Sequence, residues 1–264
     1  KNKPVKFFPI IDDSSKVVDL YLVDIGNNFT RDNLVVLMAG GMGTRLHPLT
    51  KELPKPLIKI GGKPILLLIL ERFISQGFNR FIMTVNFKSE MIIEYFGDGS
   101  RWNVSIEYVQ EPKRLGTAGS LSLITDRPST SFIVMNADLV TSLDNRQLLD
   151  FHLEHKSLAT MCVREYDYEI PYGVIEIKDN CVHNIEEKPI YKYFINAGIY
   201  VLEPEVLDLL SSGLHLDMTQ LFGEILKENK PVVFPIREYW MDIGKKLDLE
   251  KARLEIDPKV ISKV

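Results

Sequence analysis

Apolar residues along this chain fall in short runs of strand length, and these alternate with stretches whose apolar positions recur at helical spacing. Leu34 to Met38, Arg80 to Val85, Val104 to Val109, Ser131 to Met135 and Leu158 to Arg164 read as strands. Between them, Pro64 to Gln76, Lys88 to Phe96, Thr117 to Ile124 and Arg146 to His155 read as helices. Pro64 suits a first helical position and Gly77 a helix end. The segment between them is apolar nearly all round, which predicts a buried helix. The second half changes character. Tyr172 to Ile177, Val182 to Ile185 and Ala197 to Leu202 are short strands with tight connections, and Pro204 to Leu210 and Thr219 to Glu228 read as helical. This order predicts an α/β fold with a mostly parallel, partly mixed central sheet and helices on both faces. Residues 1–30 stand apart. Val5 to Ile11 and Val17 to Ile25 are strand-like, the polar cluster Asp12-Asp13-Ser14-Ser15 joins them, and Gly26-Asn27-Asn28 reads as a linker.

Composition narrows the function classes. With 264 residues, 45% of them apolar, the chain can bury a sizeable core within one α/β domain. A net charge of −4 gives no nucleic-acid footprint, so positive charge is expected only locally, at a site. Two cysteines without Cys-x-x-Cys spacing suggest reduced thiols and a cytoplasmic protein, and the five scattered histidines do not suggest zinc. The longest apolar run, Ile65 to Leu70, is far short of the roughly 20 residues that cross a bilayer, so no membrane partner is expected. No signal peptide is apparent, and a first residue of Lys1 suggests a piece of a longer chain.

The most informative stretch follows the first strand of the domain. Leu37-Met38-Ala39-Gly40-Gly41-Met42-Gly43-Thr44-Arg45-Leu46 breaks from an apolar run into a glycine-rich loop, and Pro54-Lys55-Pro56 comes soon after. Without side chains, Gly40, Gly41 and Gly43 let backbone N–H groups approach a ligand, and Arg45 and Lys55 add two cations. Bare amides flanked by cations suit a polyphosphate. The loop is not a Walker A sequence, which needs Lys-Ser/Thr after its last glycine. Nor is it a dinucleotide fingerprint, because Leu46 stands at the third glycine position. The prolines on either side of Lys55 restrict its backbone and reduce the entropy lost in positioning it.

The whole string Gly-Gly-x-Gly-Thr-Arg-Leu-x-Pro-Leu-Thr-x-x-x-Pro-Lys-Pro resembles the signature of the sugar-1-phosphate nucleotidylyltransferases, the NTP-transferase family. The resemblance covers about residues 33 to 253, with five motifs in family order. It implies a Rossmann-like three-layer αβα sandwich of the nucleotide-diphospho-sugar transferase type, with a nucleotide-binding half over about 31–150 and a sugar-phosphate-binding half over about 151–264. It also implies an enzyme that joins a nucleoside triphosphate to a sugar 1-phosphate and releases pyrophosphate. The attacking phosphate is already largely dianionic near neutral pH, so no general base is needed. The chemistry calls instead for Mg²⁺, fixed cations and backbone amides.

On this resemblance Arg45, Lys55 and Asp138 are the catalytic candidates, and Asp138 and Asp242 the Mg²⁺ ligands. Asp138 follows an apolar strand in Asn136-Ala137-Asp138; it could instead be a turn or cap residue. Asp242, in Trp240-Met241-Asp242-Ile243-Gly244, could also cap a helix starting near Lys245. The nucleotide is expected at Leu37, Ala39, Gly40, Gly41, Gly43, Thr44, Arg45 and Lys55. Its base is expected at Gln110, Pro112, Gly116 and Thr117, with a helix N-terminus capped by Thr117 the plain alternative. The sugar phosphate is expected at Tyr172, Gly173, Glu187, Lys188, Asn196 and Gly198, with a solvated charge pair the plain alternative for Glu187 and Lys188.

Gly61-Gly62-Lys63-Pro64-Ile65 and the Leu-Thr-x-x-x-Pro-Lys-Pro-Leu form most resemble mannose-1-phosphate guanylyltransferase-like members, which favours GTP and a hexose or amino-hexose phosphate. Uridylyl-, thymidylyl- or cytidylyltransfer, including transfer to phosphocholine, and a non-catalytic nucleotide sensor are the rivals. Phe8-Pro9-Ile10-Ile11-Asp12-Asp13 and Lys16-Val17-Val18-Asp19-Leu20 resemble the closing hairpin of a cystathionine-β-synthase-type (CBS) domain, with an ordinary hairpin as the alternative. If the resemblance holds, regulatory CBS domains precede the chain. A homo-oligomer is left open.

Overall fold

The computed structural model describes residues 6–11, 16–23, 30–228 and 230–255. At the N-terminus β1 (Lys6–Ile11) and β2 (Val17–Val23) pair antiparallel as the expected hairpin. The turn expected at Asp12 to Ser15 and the linker Gly26-Asn27-Asn28 lie outside the described residues. The domain then runs β3 (Val35–Met38), β4 (Lys59–Ile60), β5 (Lys63–Pro64), α1 (Ile65–Ser75), β6 (Arg80–Val85), α2 (Ser89–Phe96), β7 (Ser105–Gln110), α3 (Gly116–Gly119), β8 (Phe132–Asn136) and β9 (Leu139–Thr141). It continues with α4 (Asn145–His155), β10 (Ala159–Glu169), β11 (Gly173–Lys178), β12 (Cys181–Glu187), β13 (Ile190–Leu202), α5 (Met218–Glu228), β14 (Val232–Pro235), β15 (Trp240–Asp242) and α6 (Lys246–Glu255).

Seven strands form one sheet in the order β14-β10-β13-β8-β3-β6-β7. Six share one direction, and β13 runs against them. The strands alternate their apolar side chains between two buried layers. Val35, Leu37, Phe81, Met83, Ile133 and Met135 join the core under α1, α2, α4 and α6. Leu34, Val36, Ile82, Phe132 and Val134 join the other, under α5 and α3. The expected three-layer αβα arrangement is therefore present, and the sheet is mixed because of one strand.

Several boundaries differ from the sequence reading for local reasons. Pro64 is extended and pairs with Lys59, so it stands at the helix cap and α1 starts at Ile65. The helix expected over Thr117 to Ile124 breaks into α3 and a 3-10 turn at Ser120–Leu123, and Pro204–Leu209 is likewise 3-10. Strand β13 begins at Ile190 rather than Ala197, and β10 continues to Glu169. Together they form a two-stranded arm, paired from Arg164 and Ile195 out to Glu169 and Ile190. Its side chains, charged residues mixed with tyrosines, Ile190 and Phe194, are mostly exposed and show no simple apolar alternation.

The connections from β3 and β8 diverge to opposite sides of the sheet, since β3 leads to β6 and β8 leads towards β10 and β13. The carboxyl ends of these two neighbouring strands are where an open α/β sheet forms its ligand crevice. At the other end of the strands a buried polar chain fixes the layers. His152 bonds Thr160 Oγ1 (2.7 Å) and Glu203 Oε1 (2.9 Å), and Ser131 donates to the same Glu203 oxygen (2.6 Å).

Helix α4 begins at an explicit cap. The Asp144 carboxylate accepts from the Arg146 backbone N–H (2.9 Å) and from the Arg146 guanidinium (3.0 and 2.8 Å). The Arg146 side-chain hydrogen bond, opposed by partial burial, holds this carboxyl below its ordinary value. A group depressed on folding contributes stability above its unfolded pKa and loses it as pH falls through the folded one. Asp144→Ala is expected to cost about 1 kcal/mol at pH 7 in urea unfolding. The difference from wild type should start to shrink below about pH 4, where the unfolded chain takes up the proton first, and vanish as pH falls through the lower folded value.

Candidate functional site

The crevice is built first from backbone. Leu37 is fully buried in β3 and Ala39 nearly so, so neither presents its side chain to a ligand and both support the loop from beneath. Ala39 N–H donates to Thr84 O (2.8 Å) and Ala137 N–H to Met38 O (3.1 Å), tying the loop after β3 to the strands on each side. Gly43 is left-handed (φ 63°), and a Cβ there would lie 2.9 Å from Thr50 Cγ2 and 3.0 Å from Lys55 Cβ. Thr50 Oγ1 donates to the Gly43 carbonyl (2.8 Å), so the loop is folded back on the segment that carries Lys55. At Gly40 a Cβ would meet Glu111 Oε1 at 2.4 Å, whereas Gly41 faces open space. Thr44–Leu46 is a 3-10 turn in which Leu46 is buried and Thr44 and Arg45 point outward.

Lys55 begins a second 3-10 turn, Lys55–Leu57, anchored by buried Pro56 and Leu57. The lysine is itself buried, and its ammonium group forms an ion pair with the Asp138 carboxylate at the end of β8. Asp138 and Asp242 are 104 positions apart in the chain, yet they are neighbours. β9 pairs antiparallel with β15, Leu139 lies opposite Asp242, and Ile243 N–H donates to the Asp138 carbonyl (3.0 Å). A Cβ at Gly244 would lie 3.3 Å from Arg45 Nη1 and 3.4 Å from Asp242 Oδ2, so the arginine and this carboxylate flank the same glycine. Burial first, then the Asp138 charge, pushes the Asp242 carboxyl above its ordinary value; Lys55 and Arg45 pull it back and Asp248 raises it further. Asp242 Oδ1 is buried without a hydrogen-bond partner. The alternative of Asp242 as a helix cap does not hold, because the Lys245 N–H ahead of α6 donates to Asp248 instead (2.7 Å).

The loop after β7 closes another side. Gln110 and Pro112 are exposed, and Asn86 Nδ2 holds the Glu111 carbonyl (2.9 Å). The Glu111 side chain turns inward, accepts from Leu115 N–H (3.1 Å) and packs against Gly40; burial raises its carboxyl above the ordinary value. Glu111 is not among the residues singled out from the sequence. Thr117 lies inside α3, which Leu115 precedes without a side-chain cap, so it does not cap its own helix; its backbone N–H donates to Asp217 and its hydroxyl accepts from Met218 N–H at the start of α5.

Two groups of expected sugar contacts are placed differently. Asn196 and Gly198 sit in a bulge of β13 where Ala197 to Ile199 stand against Cys162 alone. Asn196 Oδ1 accepts from Gly198 N–H (2.9 Å). Gly198 is left-handed and lies so close to Asn136 that a Cβ would be 2.6 Å from its amide nitrogen. Trp240 Nε1 donates to the Ala197 carbonyl (2.9 Å), which joins the bulge to the Asp242 strand. Tyr172, Gly173, Glu187 and Lys188 instead gather at the base of the β11–β12 hairpin. There Gly173 pairs with Glu187 and Lys188 N–H donates to the Tyr172 carbonyl (3.3 Å). All four are exposed, and among the described residues no hydrogen bond or ion pair joins their side chains to the Lys55–Asp138 group.

The two loop glycines make a matched test. Gly43→Ala should cost about 1 kcal/mol or more in urea unfolding, from left-handed strain and the crowding against Thr50 and Lys55. Gly41→Ala, whose Cβ meets nothing within 4 Å, should leave stability within about 0.5 kcal/mol of wild type.

The chain is 35% identical over 223 residues to the mannose-1-phosphate guanyltransferase of Pichia angusta, covering 81% of this chain and 61% of that protein. It is 34% identical over 220 residues to the mannose-1-phosphate guanylyltransferase catalytic subunit beta of Drosophila melanogaster, covering 81% and 60%. The chain thus spans about three fifths of the length of these relatives. Among solved structures, HddC from Yersinia pseudotuberculosis complexed with GMP-PN superposes with a TM-score of 0.65 at 27% identity, covering 84% of this chain and 99% of that one. A Bacillus anthracis protein described as a glucose-1-phosphate thymidylyltransferase shares the fold, with a TM-score of 0.70 at 22% identity, covering 85% and 95%. The profile of the nucleotidyl transferase family matches residues 34–258, and the chain belongs to that family.

Proposed function

We propose that this chain catalyses attack of a sugar 1-phosphate oxygen on the α-phosphorus of a nucleoside triphosphate, giving an NDP-sugar and pyrophosphate. The observation that carries the reading is the convergence of Lys55, Arg45, Asp138 and Asp242 at the carboxyl ends of β3 and β8, beside a loop of bare amides. Backbone groups of Gly40 to Thr44 cradle the triphosphate, and Arg45 offers a planar fork to its oxygens. Lys55 supplies a compact, pre-positioned charge for the leaving pyrophosphate. GTP is the favoured nucleotide and a hexose or amino-hexose 1-phosphate the favoured acceptor, on the strength of the guanylyltransferase relatives. Asn196 and Gly198, and Tyr172, Gly173, Glu187 and Lys188 on the hairpin, would meet the sugar phosphate.

The donor set fits Mg²⁺. Asp242 Oδ1 is an orphaned buried oxygen, and Asp138 lies beside it. Magnesium is commonly held by one or two carboxylates, with phosphate oxygens and water completing its shell. Bound there, it would neutralise phosphate charge and align the reacting groups. Among the described residues no helix is long and apolar enough to cross a membrane. Both cysteines are unpaired, which suits a reducing cytoplasm.

Pyrophosphate release with each of four NTPs and a panel of sugar 1-phosphates tests the reading. Turnover should be greatest with GTP, vanish with EDTA and return with Mg²⁺. Lys55→Ala or Asp138→Asn should lower it by about two decades or more with the fold intact by circular dichroism. Near-normal turnover in both variants would refute the assigned roles. Asp242→Asn should raise the Mg²⁺ concentration for half-maximal rate at least about tenfold.

A further inference from the structure

We infer that Asp217 is a positioning residue: it clamps the nucleotide-side turn Gly116–Gly119 to the second half of the chain and thereby sets affinity for the nucleoside triphosphate. The inference rests on the proposed nucleotide site, and Asp217 itself touches no substrate in it.

The contacts between the two segments are dense and reciprocal. Leu216 N–H donates to the Leu115 carbonyl, and the Leu216 carbonyl accepts from both Ala118 and Gly119 N–H groups, each at 2.9 Å. Asp217 Oδ1 accepts from Thr117 N–H (3.0 Å), with the Thr117 hydroxyl at 3.4 Å. In return Met218 N–H, the first donor of α5, is capped by Thr117 Oγ1 (2.8 Å). No room is left for side chains between the segments. A Cβ at Gly116 would be 2.5 Å from the Leu216 carbonyl and 2.8 Å from Asp217 Oδ1, and one at Gly119 would be 2.4 Å from the Leu214 carbonyl.

The arrangement departs from an ordinary helix start. Asp217 precedes α5, and Gln220 Oε1 accepts from Asp217 N–H (2.8 Å), which is one half of a capping box. The other half would have the Asp217 carboxylate accept from its own helix at Gln220 N–H. That donor bonds the Asp217 main-chain carbonyl instead (2.9 Å), and the carboxylate is turned across to Thr117. A helix cap has been diverted to hold the turn that follows Gln110 and Pro112. Position errors there would act on nucleotide binding, whereas the groups facing the α-phosphorus, Lys55 and Asp138, belong to other segments.

The test compares wild type, Asp217→Ala and Asp217→Asn in the intact chain. KM is measured for GTP, or for whichever of the four triphosphates the wild type turns over fastest, and GTP affinity is measured separately by titration calorimetry. Asp217→Ala should raise KM and weaken binding about tenfold with kcat within about threefold, from loss of one charge-assisted hydrogen bond. Asp217→Asn, which keeps an oxygen acceptor, should recover most of the affinity. Unchanged affinity in Asp217→Ala, a fall in kcat at constant KM, or an asparagine variant as impaired as alanine would overturn the inference. If the alanine variant does not fold, amide exchange on the wild type decides. GTP should slow exchange at 116–119 and at 214–218 together, and protection confined to the first segment refutes the clamp. A wild type that binds a triphosphate but releases no pyrophosphate removes the transfer reading while the affinities still judge the clamp; one that binds none of the four triphosphates removes both.

Discussion

The ion pair between Lys55 and Asp138 is the constraint around which the site is arranged. A buried lysine left alone would carry a large desolvation cost, and removing one partner of such a pair is strongly destabilising. The pair is made between the segment that follows the glycine loop and the end of β8, so it fixes the loop against the sheet. Gly43 then has to be glycine twice over, because its φ is positive and because Thr50 and Lys55 occupy the space a Cβ would need. An approaching phosphate would meet a lysine that is already oriented and whose present partner is another anion. Exchange of one anion for the other requires little rearrangement of the backbone, which is what preorganisation means in electrostatic terms.

The second constraint is the single reversed strand. Because β13 runs against β8 and β10, its bulge at Ala197 to Ile199 falls beside Asn136 at the mouth of the crevice, at the same end as the glycine loop. Trp240 bonds that bulge, and the strand Trp240 begins carries Asp242. The β13 bulge, the Asp242 strand and the Asp217 segment all come from the second half of the chain and close on loops of the first. The site is therefore a composite of both halves, and no segment of either half would assemble it alone.

Much of the fold was legible because β3, β6 and β8 are buried on both faces and read as continuous apolar runs. The outer parts of β10 and β13 were not, since Tyr166, Tyr168, Tyr191 and Tyr193 share one face of an exposed ribbon whose other face mixes Glu165, Asp167, Glu169 and Lys192 with Phe194 and Ile190. The glycine loop, Lys55, Asp138 and Asp242 could be read from local strings. Their proximity could not, because it depends on three-residue strands, β9 and β15, whose pairing no periodicity encodes. Glu111 and Asp217 escaped for a related reason: each acts by turning its side chain away from its own segment toward another.

The charge balance of the cluster gives a physical reason to expect a metal. Arg45 and Lys55 are two cations, and Asp138 and Asp242 are two anions, so the ionised cluster is close to neutral. A single phosphate monoester brings about −1.5 to −2 near pH 7, and a triphosphate brings more. Placing both substrates among two carboxylates without further positive charge would add repulsion in a partly buried setting, where each close like-charge contact costs several times its value in water. Burial, and after it the neighbouring Asp138 charge, already holds the Asp242 carboxyl above its ordinary value, and its Oδ1 has no hydrogen bond. A divalent cation would relieve both at once. It would satisfy the orphaned oxygen, take the carboxylates as ligands and offset the incoming phosphates. Two fixed cations could hold one phosphate group in such a cluster; bringing two polyanions together there needs more.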